Sequence, residues 1–173
     1  RKTHDRVVEL NAKLNAAGVK TWIDVEQMRD AILAKMVHGI ANSSITICFI
    51  TNNYIRKASG LGEKGEDDNC YFEFDTALMK RGRSRILHVV MEPACLNPNA
   101  WLTGFVKAKL FSKLYVNLAD DTNSPSFDEG VKQLVAQIRK LVGPKAEASA
   151  AATAAGAAAS GEGAAEEAEA EDE

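Results

Sequence analysis

Cys70 and Glu73 stand three residues apart in the run Asp68-Asn69-Cys70-Tyr71-Phe72-Glu73-Phe74. On a helix, that spacing puts them on neighbouring faces of the first turns. Cys70, Phe74 and Ala77 centre an apolar stripe, and Glu73 lies at its border. A border carboxylate is partly desolvated, so its charge state responds to a ligand. The plain alternative is a surface glutamate in a first helical turn, where carboxylates are favoured in any case. The run Ile45-Thr46-Ile47-Cys48-Phe49-Ile50-Thr51 comes before it and reads as a buried parallel strand. A carboxylate near the C-terminal edge of such a sheet lies where open α/β folds bind ligands. Cys70 itself reads as a small core residue rather than a nucleophile, because no histidine is near it in sequence.

The other chemical signals are weaker. Gly60-Leu61-Gly62-Glu63-Lys64-Gly65 spells GxGxxG but does not directly follow a strand. It runs into Glu66-Asp67-Asp68, whose carboxylates would repel a pyrophosphate. A loop that charges the next helix start explains it better. Asp24 ends a strand pattern, but no lysine follows Leu118 as a phospho-receiver domain would require. A turn or capping role suits Asp24 better. Cys48, Cys70 and Cys95 are scattered, as are His4, His38 and His88, so neither a disulfide framework nor a metal site is expected. The thiols fit a reducing, cytoplasmic setting.

Periodicity supplies the elements that must hold Glu73. Helices are expected over 3–17, 30–42, 68–81 and 126–142, each with apolar residues at helical spacing. Strands are expected at 19–24, 45–51, 85–91 and 114–118, with a polar turn over 25–29 and a long loop over 52–67. The stretch 94–110 reads as irregular, with a short helix near Trp101. Alternation of strand and helix means an α/β domain with a parallel sheet.

The chain has 173 residues, 46% of them apolar, enough for one domain with a sizeable core. Gly143-Pro144 marks its end. Residues 144–173 are rich in Ala, Gly and Glu, lack aromatics and carry a net −7, leaving +4 on residues 1–143. Such a tail cannot bury enough apolar surface to order itself, so disorder is expected there. A mildly basic body with an acidic tail is not a nucleic-acid-binding profile. No apolar run reaches the roughly 18 residues a membrane span needs. The start of the chain lacks an initiator Met and an apolar signal region, which suggests a processed or incomplete chain.

Taken in order, these residues resemble a Toll/interleukin-receptor (TIR) domain. The match runs through Trp22-Ile23-Asp24, Met28, Ile32 and Met36-Val37-His38-Gly39-Ile40. It continues with Ser43-Ser44 before the strand to Thr51 and Tyr54, then Glu66 to Cys70 with Glu73, and Val89-Val90-Met91-Glu92-Pro93. It covers about residues 3–142. The resemblance implies a flavodoxin-like, doubly wound parallel sheet of the α/β class. Some family members are adaptors that act through TIR–TIR contacts. Others cleave NAD at the nicotinamide–ribose bond with a glutamate that follows a Cys or Ser by three residues. Carried over, Glu73 is the catalytic candidate, NAD is a substrate rather than a cofactor, and Trp22 and Cys70 are substrate-binding candidates. Trp22 also reads as core. Asp24, Glu26, Met28, Arg29 and Asp30 would form the interaction loop, with other TIR domains, including copies of this chain, as partners. Two departures stand out. The family's first, central strand is expected to be missing, leaving a gap beside residues 19–24 or closing the neighbours together. Asp30 and Ala31 occupy positions where the family has a glycine and an acidic residue.

Overall fold

The computed structural model describes residues 2–23 and 32–143. Its centre is a parallel sheet of three strands among the described residues, in the order β1-β2-β3. These are β1 (Thr46–Ile50), β2 (Ile86–Val90) and β3 (Val116–Asn117). Cys48 pairs in register with His88, and Ile50 with Val90. Val89 pairs with Val116. The β-branched, uncharged character of the first two strands suits a pleated, covered surface. Every residue of β2 is buried, as that composition requires.

Six helices surround the sheet among the described residues: α1 (Lys2–Ala16), α2 (Ile32–Asn42), α3 (Asn52–Ala58), α4 (Asn69–Arg81), α5 (Phe105–Leu110) and α6 (Pro125–Val142). Alternate strand residues face opposite layers. One layer joins Cys48, Ile50, Ile86 and Val90 to Ile40 of α2, Ile55 of α3, Phe74 and Ala77 of α4, and Val106 of α5. Leu87 and Val89 point the other way and are buried too. In α6, Phe127, Val131, Leu134, Val135 and Ile138 form the buried stripe. Lys13 of α1 pairs with Asp128 of α6 at 2.8 Å. Gly130 lets α6 approach the end of β3, where an added Cβ would come within 2.5 Å of the Asn117 carbonyl oxygen.

The sequence and the fold differ in two places. Residues 52–67, expected as one loop, contain α3, because the Thr51 hydroxyl accepts a hydrogen bond from the Tyr54 N–H at 3.0 Å and starts a helix directly after β1. The strand expected at 19–24 does not form over Val19–Ile23, although those residues have strand composition. A strand needs a neighbour for its backbone groups. Among the described residues, β1 pairs with β2 alone and no strand lies between β1 and this segment. This agrees with a missing central strand. The expected turn at 25–29, the first two residues of the helix expected at 30–42, and the tail at 144–173 lie outside the described residues.

Candidate functional site

Asp68 builds the start of α4. It is 5% exposed, and its Oδ1 accepts a hydrogen bond from the Cys70 backbone N–H at 2.9 Å. Its Oδ2 lies 3.5 Å from Lys57 Nζ at the end of α3. Burial alone would push this carboxyl up, but the Cys70 N–H and the Lys57 ammonium outweigh it and hold it below its usual range. One acidic side chain therefore caps α4 and ties it to α3.

Glu73 follows one turn into α4 and is partly buried. Its carboxylate is near enough to Cys48, Tyr54 and Cys70 to contribute to the pKa of each. Burial is the largest influence on all three. It pushes the Cys48 thiol up to about 11 and, with Asp68 and Glu73, the Cys70 thiol up to about 12. Burial and then Cys48, Glu73 and Cys70 hold the Tyr54 phenol well above its ordinary value. At neutral pH these three groups are uncharged, and Glu73 lies within electrostatic reach of each. In such low-dielectric surroundings a single carboxylate acts strongly on a developing cation. The Cys70 thiol is a poor nucleophile here, because nucleophilicity belongs to the thiolate.

Trp22 packs on α2. Its ring lies flat on α2, so close that a Cβ at Gly39 would fall 2.6 Å from it. It is 49% exposed, so the core reading is corrected: one face rests on the helix backbone and the ring is open to solvent. Asp24, Glu26, Met28, Arg29 and Asp30 lie outside the described residues.

Three features of the site escaped the sequence. Tyr54 lies within electrostatic reach of Glu73, on a helix that the Thr51 cap starts. Glu92, after β2, accepts from the Asn52 N–H at 2.9 Å and joins the C-terminal ends of β1 and β2. Arg6 of α1 donates to the carbonyl oxygens of Met91, Leu118 and Asp120, so it closes the ends of β2 and β3. Nothing in local periodicity signals contacts of such sequence separation.

The TIR domain family matches residues 1–135, more than half of the chain. The chain belongs to the TIR-domain family. No curated protein and no solved structure matches it. The α/β sheet of this TIR domain is consistent with the flavodoxin-like form of the family with some strands missing. Membership supports a signalling role, and TIR domains commonly interact with other TIR domains. Among the described residues, no helix is long and apolar enough to cross a membrane.

Proposed function

We propose that this TIR domain cleaves NAD at the nicotinamide–ribose bond, with Glu73 as the catalytic carboxylate. The observation that carries the reading is the placement of Glu73 on a capped helix among neutral Cys48, Tyr54 and Cys70. The pyridinium of NAD leaves as neutral nicotinamide when its bond to ribose breaks. The positive charge passes to the ribose as an oxocarbenium-like state, which an adjacent carboxylate stabilises. Water then adds at the anomeric carbon and loses a proton, giving ADP-ribose. Attack by the adenine instead gives the cyclic form.

Trp22, with its half-open ring, and Cys70, one turn before Glu73, are the proposed substrate contacts. The signalling output would pass through contacts with other TIR domains, copies of this chain included, by way of Asp24, Glu26, Met28, Arg29 and Asp30. The three free cysteines suit a cytoplasmic setting. Comparing NAD turnover by the wild type and Glu73→Gln tests the reading. Equal turnover would leave protein–protein contact as the domain's activity, the role of a non-catalytic adaptor.

A further inference from the structure

The strands are parallel, so the segments that lead into them meet at one edge of the sheet, opposite the edge where α4 starts. Residues 79–85 end α4 and lead into β2, and residues 111–115 lead into β3. Within them stand Lys80, Arg81, Arg83, Arg85 and Lys113, with no Asp or Glu. The Lys113 ammonium joins the two segments, donating to the carbonyl oxygens of Arg83, at 2.6 Å, and of Ile86. Arg85 donates to the Leu141 carbonyl oxygen at the end of α6, which brings the exposed Lys140 to the same edge. Arg81 donates to the Ala41 carbonyl oxygen near the end of α2. Carbonyl partners are neutral, so they orient these cations without cancelling their charge. Among the described residues, none of these side chains pairs with a carboxylate. Burial and then the Arg83 charge push the Lys113 ammonium down, the effect expected where like charges crowd.

The same edge carries the most exposed large apolar side chains of the described residues. Leu114, beside Lys113, is 89% exposed, and Met79, beside Lys80, is 78% exposed. Phe111, three residues before Leu114, is exposed as well. We propose that this edge of the sheet docks on an anionic membrane surface. Lys80, Arg81, Arg83, Arg85 and Lys113 would meet the lipid headgroups, and Met79, Phe111 and Leu114 the acyl boundary beneath them. Cations interleaved with protruding apolar side chains match the layering of a bilayer, in which charged headgroups cover hydrocarbon. An acidic peptide would satisfy the cations alone. Net charge does not drive the docking, since the full chain carries −3 and an anionic surface would repel it. The attraction is local to this edge. Docked in this way, the domain turns the start of α4 towards the water. Nothing in this reading depends on the catalytic role of Glu73.

Co-sedimentation of the full chain with lipid vesicles tests this. Phosphatidylcholine vesicles with about 30% phosphatidylserine should bind the chain, pure phosphatidylcholine should not, and added salt should weaken the binding. Lys80→Gln and Arg83→Gln change exposed side chains, so the fold is kept. Each should weaken binding about fivefold, and the pair about 25-fold. Met79→Ser with Leu114→Ser should weaken it about tenfold or more at unchanged charge. Lys64→Gln removes the same charge from an exposed loop before α4, at the opposite edge. It should change binding by less than about twofold. No binding at low salt, equal binding to both vesicle types, or an equal effect of Lys64→Gln would each overturn the proposal. Normal binding of the Met79→Ser and Leu114→Ser variant, with displacement by polyglutamate, would overturn it too and assign this edge to an acidic protein.

Discussion

The Cys70 backbone N–H donates to the Asp68 carboxylate at 2.9 Å, and this contact sets where α4 begins. Everything that follows on the helix inherits that origin. Glu73 reaches the Cys48–Tyr54 side of the domain because α4 starts at Asn69 and not a residue earlier or later: a one-residue slip would turn it by about 100°. The same carboxylate pairs with Lys57, so α3 and α4 share one anchor.

Asp68→Ala should therefore cost about 1 kcal/mol from the lost cap. Asp68→Asn retains an acceptor for the Cys70 N–H and should cost about 0.5 kcal/mol or less. Urea denaturation of both variants checks this. The order should repeat in NAD turnover, with Asp68→Ala the more impaired.

Gly39 and Trp22 make the second prediction. A methyl group at Gly39 would meet the indole at 2.6 Å. Gly39→Ala should lift Trp22 from α2 and cost on the order of 1–3 kcal/mol, the usual range for overpacking. Trp22 fluorescence should move to the red, with the Trp101 contribution fixed from a Trp22→Phe reference. An unchanged spectrum would show that the ring does not rest on the helix.

His88 ties stability to pH. It is 1% exposed in the middle of β2, and neither ring nitrogen has a hydrogen-bond partner. Burial, then Lys113, brings its pKa down from 6.5 to about 4. The unfolded chain thus takes up a proton at this residue before the folded one does. Its contribution is full above pH 6.5 and is lost as pH falls towards 4, amounting to about 3 kcal/mol. Since neither nitrogen gives up a bond, His88→Phe should flatten the acid limb of the stability curve without lowering stability at pH 7. Equilibrium denaturation across that pH window decides it.

Gly130 supplies the fourth prediction. Its missing side chain lets α6 meet the Asn117 carbonyl oxygen, where a Cβ would sit at 2.5 Å, and Leu118 Cδ2, at 2.6 Å. One of these neighbours is backbone, so it cannot swing away. Gly130→Ala should destabilise by roughly 3 kcal/mol, the upper end for inserted volume, measured as a lower urea midpoint.

The parts of this domain set by short-range pattern were legible in the sequence. The helix over 68–81, the buried character of 85–91 and the amphipathic face of 126–142 follow from periodicity, and α4, β2 and α6 realise them. What failed was governed by distant partners. Residues 19–23 have strand composition, but a strand exists only with a neighbour. Residues 52–58 look polar, but a cap from Thr51 turns them into α3. At the proposed site, Glu73 is a candidate from the sequence alone, because its chemistry and its spacing from Cys70 are local. Tyr54 was not, because its place beside Cys48 depends on a helix that begins within what reads as a loop.

NAD turnover by purified wild type and Glu73→Gln, at high protein concentration and matched melting temperature, tests the central claim most directly. Release of nicotinamide should fall by about 100-fold or more in the variant, the scale of losing one preorganised electrostatic group. Equal release by the two proteins would contradict the account.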